Sequence, residues 1–139
     1  MKIHSTNYFS TLIAVADDCP VSQGTIPPEK GEKRTLANLQ FELLHQNPYK
    51  YTSDDIIFLC YARKNDIKNV LDGEERRKFY SKGQPCMRTS PLTKKYGWGI
   101  YNDKFGKIAL LGAESEEYKK RLTDKNTSVV RAMRSSRKK

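Results

Sequence analysis

Between residues 82 and 98, Lys82, Gln84, Cys86, Arg88, Ser90, Lys94, Tyr96 and Trp98 place cations, an amide, a thiol, hydroxyls and aromatic rings within 17 positions. No acid interrupts them. That mixture suits an anionic ligand, because fixed cations neutralise a phosphate or carboxylate and a ring can stack on a base. The competing expectation is a solvated basic edge with Tyr96 and Trp98 packed beneath it, since aromatic side chains mostly fill cores.

Cys86 is the one candidate nucleophile. Positive charge from Lys82 and Arg88 would lower its thiol pKa if the fold brought them close. A nucleophilic thiol also needs a base, and His4 and His45 are distant in sequence. A small residue half-buried in a turn is the plainer reading, and no catalytic residue is assigned. Nor is a metal site expected. Cys19, Cys60 and Cys86 contain no CxxC pair, and the histidines are isolated. Adjacent carboxylates in Asp17-Asp18 and Asp54-Asp55 point apart on a strand and better suit turns and caps. No cofactor is implied.

Net charge supplies the strongest physical signal. Residues 1–80 carry 11 basic and 11 acidic side chains, whereas residues 81–139 carry 15 basic and 5 acidic ones, the whole of the +10. That asymmetry favours an anionic ligand or a nucleic acid as partner of the C-terminal half. Arg131, Arg134, Arg137, Lys138 and Lys139 extend it into a basic end that would suit either salt-dependent contact or solubility. The longest apolar run, Ile56–Tyr61, is far below the roughly 20 residues of a membrane helix. The start, MKIHSTNYF, lacks the apolar stretch of a signal peptide. Three widely spaced cysteines fit reduced thiols, so the expected setting is cytoplasmic.

Several elements must position these residues. Phe9–Ala16 fits a strand or a helix face, and its β-branched content and the DDCP stop favour the strand. Asp17–Arg34, with Gly24, Pro27-Pro28 and Gly31, reads as a long surface loop. Thr35 caps a helix to Gln46 whose leucines recur at helical spacing before Pro48. Ile56–Arg63 (IIFLCYAR) is short, apolar and β-rich, which predicts a buried central strand. Past a polar link at Asp72-Gly73, Glu74–Tyr80 reads as a short helix with acids before bases. Ser90-Pro91 starts one further helical turn. Gly97–Asn102 and Lys107–Ala113 form a hairpin around Asp103–Gly106. Ser115 opens a helix to about Thr123, Val129–Arg134 reads as a final short helix, and Ser135–Lys139 as a flexible basic tail. The sum is one α+β domain over residues 1–134, a mostly antiparallel sheet with a C-terminal hairpin, covered by helices.

With HSTNYF, ADDCP, NPYKYTSDD, SKGQPCMRTSPLTKKYGWGIYND, EYKKRL and RAMRS in view, the chain resembles, almost end to end, an uncharacterised bacterial family, domain of unknown function number 6157. The resemblance implies a single bacterial cytosolic domain and no assigned activity, cofactor or partner. The residues themselves favour a small non-enzymatic domain that binds an anionic ligand, nucleotide or nucleic acid through its basic half. The alternative is an enzyme or redox-responsive protein that uses Cys86.

Overall fold

In the computed structural model, which describes residues 2–68 and 73–136, strands β1 (Thr11–Ala14), β2 (Trp98–Asn102), β3 (Ile108–Gly112) and β4 (Ser128–Arg131) form one sheet in the order β3-β2-β1-β4. β1 pairs antiparallel with β2, and β2 with β3, while β4 lies parallel to β1 with Ile13 opposite Val130. Alternation along each strand divides the side chains between two faces. Ile13, Ile100 and Ile108 join the main core with helices α1 (Leu36–Gln46), α2 (Ser53–Lys64) and the short α4 (Pro91–Lys95). Leu12, Ala14, Tyr101 and Leu111 face the other way, against Tyr118 of α5 (Glu116–Thr123). The architecture is α+β with a mostly antiparallel sheet, as the sequence predicts.

Gly99 lets α5 seat this closely. A Cβ there would stand 2.4 Å from the Tyr118 ring. Tyr118 in turn accepts the Val15 N–H on its hydroxyl at 3.1 Å and so ties α5 to the end of β1.

Two elements depart from the sequence reading. Ile56–Arg63 is not a central strand but the body of α2. Thr52 and Asp55 form a capping box that starts the helix, and Asp54 adds charge to its first turn. Its buried residues alternate because two stripes at i, i+4 are offset by two positions. Ile56 and Cys60 enter the main core, whereas Phe58 and Ala62 enter a smaller cluster with Tyr80. A helix buried on two sides therefore carries the period of a strand. Val129–Arg134 is likewise not a helix, because Ser128–Arg131 forms β4 beside β1. Its β-branched pair is satisfied by a partner more than a hundred residues away, which no local pattern reports.

Other elements lie where expected. α3 spans Gly73–Phe79, and Asp72 of the polar link before it falls outside the described residues. Ser90 caps α4, and β2 and β3 form the hairpin. The two acidic pairs act as fasteners. Asp54 accepts Thr6 N–H at 2.7 Å and the Ser5 hydroxyl at 2.8 Å, which straps the N-terminal segment to α2. Asp18 accepts Ser135 N–H at 2.9 Å and Ser136 N–H at 3.0 Å. Desolvation is the largest single influence there and acts upward, but the Ser136 and Ser135 donors and Arg134 together outweigh it and hold the Asp18 carboxyl below its ordinary range. Arg137, Lys138 and Lys139 of the basic tail lie outside the described residues. No described helix is long and apolar enough to cross a membrane.

Candidate functional site: a thiol-lined cavity between α1, α2 and residues 84–90

Pro85 prevents a regular helix after α3, and the chain crosses to α4 through the 3-10 turn Met87–Thr89. Local bonds fix that crossing. Gln84 Nε2 donates to the Phe79 carbonyl at 2.9 Å, and Thr89 Oγ1 donates to the Cys86 carbonyl at 2.8 Å. Ser90 Oγ donates to Gln40 Oε1 of α1 at 2.5 Å while accepting the Leu92 N–H at 3.2 Å. One hydroxyl thus caps α4 and pins it to α1. Met87 is buried beneath, its sulfur 3.9 Å from Gln40 Nε2.

Between this crossing and the two long helices lies a cavity of about 280 Å³. Leu36 and Gln40 of α1, Ile57, Cys60, Tyr61 and Lys64 of α2, and Phe79 of α3 form its walls, closed by Gln84–Met87, Thr89 and Ser90. The lining is mainly apolar, and Lys64 is the one charged residue among the described lining residues. Such a chamber, close to the lower end of small-molecule pocket sizes of about 300 Å³, with few polar groups, has the makeup of a ligand site.

Two thiols contribute to it. Cys60 is buried, and desolvation pushes its thiol up to about 11 against the opposing charges of Arg63 and Lys64. It is a neutral wall group. Cys86 is half-buried and its Sγ stands 3.4 Å from the Tyr8 hydroxyl. Burial, followed by the Cys86 contact, raises the Tyr8 phenol, and the Arg88 guanidinium opposes that rise. Tyr8 is therefore a protonated hydroxyl beside the thiol. No described cluster of three or more His, Cys, Asp or Glu side chains could hold a metal ion.

The fold brings Gln84, Cys86 and Ser90 together in this cavity and places the other five residues elsewhere. Lys82 is exposed in the turn after α3. Arg88 is a structural clamp. Its Nε donates to the Arg131 carbonyl at 2.6 Å and its own carbonyl accepts the Met133 N–H at 2.8 Å, covering part of the outer edge of β4. Lys94 lies half-buried on α4. Tyr96 presents its carbonyl to Thr25 N–H at 2.8 Å. Trp98 is half-buried under the 17–34 loop. Its Nε1 donates to the Thr25 carbonyl at 2.8 Å, its ring packs 5.7 Å from that of Phe41, and a Cβ at Gly24 would come within 2.8 Å of it.

Sequence reasoning missed Tyr8, Gln40 and the α2 wall. Read as a helix, Ile57, Cys60, Tyr61 and Lys64 follow i, i+3, i+4, i+7 and mark one face, the signal that the strand reading concealed.

A model of a family of unknown function, DUF6157, matches residues 3–138. No curated protein and no solved structure matches the chain.

Proposed function

Since the chain belongs to that family of unknown function, we propose its role from geometry alone: a non-enzymatic domain that binds a small organic anion in the cavity between α1, α2 and residues 84–90. The observation that carries the reading is the lining, apolar over most of its area with Lys64 as its one charge among the described residues. An apolar body would fill the space beside Leu36, Ile57 and Phe79, and a carboxylate or phosphate would meet Lys64. Gln84 and the Ser90–Gln40 pair supply the oriented polar groups that small-molecule sites use for specificity. A reducing compartment such as the cytoplasm suits the three free thiols.

The test is an NMR screen of the ¹⁵N-labelled protein against aromatic and short-chain carboxylates and phosphate monoesters. Hits should shift amides of residues 57–64 and 84–90. Ile57→Trp, which fills the chamber, should abolish them, and Lys64→Gln should weaken the anions several-fold while leaving neutral analogues unchanged. Hits that map elsewhere, or that ignore both substitutions, would overturn the reading.

A thiol-based activity is the second reading, favoured by the Tyr8–Cys86 contact. A phenol within hydrogen-bond distance of the sulfur would steady a thiolate formed there. Iodoacetamide should then label Cys86 well before Cys19, the other half-buried thiol, and Tyr8→Phe should slow Cys86 alone. Equal, slow labelling of both would remove this reading.

A further inference from the structure

Trp98 is covered, yet other aromatic rings are not. Phe9 and Phe105 are 57% and 68% exposed, far above what packing requires. Both lie at one end of the sheet. Phe105 is in the β2–β3 turn, and the Phe9 ring rests against that turn, 3.0 Å from where a Cβ of Gly106 would stand. Gly106 has φ of +81°, the left-handed geometry that the turn needs.

Cations interleave with these rings. Lys104 Nζ lies 5.1 Å from the centre of the Phe105 ring. Lys107 Nζ donates to the Lys50 carbonyl at 3.4 Å, and the Lys50 ammonium itself lies over the Tyr51 ring at 5.3 Å. The acid in the turn, Asp103, has its Oδ1 engaged by the N–H groups of Phe105 and Lys107, at 2.8 and 2.9 Å. Lys104 and Asp103 also line a groove with Glu117, Asp124, Tyr49, Tyr101 and Arg121, where Arg121 pairs with Asp124 at 3.4 Å. Acids therefore border the platform along that groove, beside Lys104.

We propose that this end of the sheet binds single-stranded nucleic acid, with two bases stacked on Phe9 and Phe105 and backbone phosphates on Lys104 and Lys107. Exposed planar rings interleaved with cations are what sequence-tolerant single-strand binders use. The net charge of +10 supplies the long-range attraction to a polyanion. The platform is separate from the cavity and does not depend on what fills it.

Fluorescence anisotropy with a fluorescein-labelled oligothymidylate of about 12 nucleotides, within the range one such domain covers, tests this. Binding should appear at about 50 mM salt and weaken steeply with added salt. Phe9→Ala and Phe105→Ala should each weaken it by about 5- to 150-fold, the loss of one stacked base. Lys104→Gln should lower the salt slope by about 1. Lys64→Gln, at the cavity, should leave it unchanged. Both phenylalanines are exposed, so unchanged thermal unfolding of the variants separates a lost contact from a lost fold. The proposal is overturned if the oligonucleotide fails to bind at low salt, if binding ignores both Phe substitutions, or if phosphatidylserine vesicles bind this end and the oligonucleotide does not.

Discussion

Ser90→Ala should cost far more than the loss of one hydroxyl suggests, and a second substitution should restore most of it. Ser90 and Gln40 are only 2% and 4% exposed, so their bond is shielded from bulk water. Removing the hydroxyl leaves Gln40 Oε1 without the donor that reaches it at 2.5 Å, which costs about 1–3 kcal/mol. It also removes the cap on Leu92 N–H, worth about 1 kcal/mol. The single variant should therefore lose about 2–4 kcal/mol, a large share of the 5–15 kcal/mol typical of a small domain. In the pair Gln40→Leu with Ser90→Ala, the orphaned carbonyl disappears and only the cap term of about 1 kcal/mol remains. The coupling between the two sites is then at least about 1–3 kcal/mol in favour of the double variant. Equilibrium urea unfolding followed by the fluorescence of Trp98, the single tryptophan, measures all four corners of the cycle. A double variant as unstable as the sum of the singles would refute the assignment of this pair as a buried, mutually satisfied bond.

Gly99→Ala should destabilise by about 1–3 kcal/mol, because its Cβ would collide with the Tyr118 ring. Gly83→Ala, with nothing within 4 Å and no positive φ, should leave the melting temperature unchanged. The Asp18 and Asp55 carboxyls are both held low. Burial of Asp55 acts upward, but the Thr52 N–H and Arg76 at 2.7 Å outweigh it. Depressed folded-state values mean that both contribute stability above the ordinary Asp pKa of about 3.9 and lose it as pH falls through the lower folded values. An NMR titration should place the Asp18 midpoint below that of a free Asp and move the Ser135 and Ser136 amides with it. Asp18→Asn should abolish that movement.

Local chemistry was enough to read much of this molecule. Thr35 and Ser90 caps, Pro48 and Pro91, and the Asp103–Gly106 turn each act within a few residues, so the helices they bound and the hairpin were legible in the chain. So was the concentration of positive charge after residue 80, which is composition alone. Where the outcome depended on partners distant in sequence, the chain was silent or misleading. The apolar run at Ile56 became a helix because two separate clusters claim its two stripes. Val129 and Val130 became a strand because β1 offered an edge.

The candidate site divides along the same line. Sequence alone singled out Gln84, Cys86 and Ser90 by their residue types. Only the tertiary structure decided that they face α1 and α2 across a cavity, that Arg88 is a backbone clamp, and that Trp98 lies beneath the 17–34 loop. The reason is physical. Caps, turns and net charge are properties of neighbours along the chain, whereas a cavity and an exposed platform are set by what packing leaves uncovered.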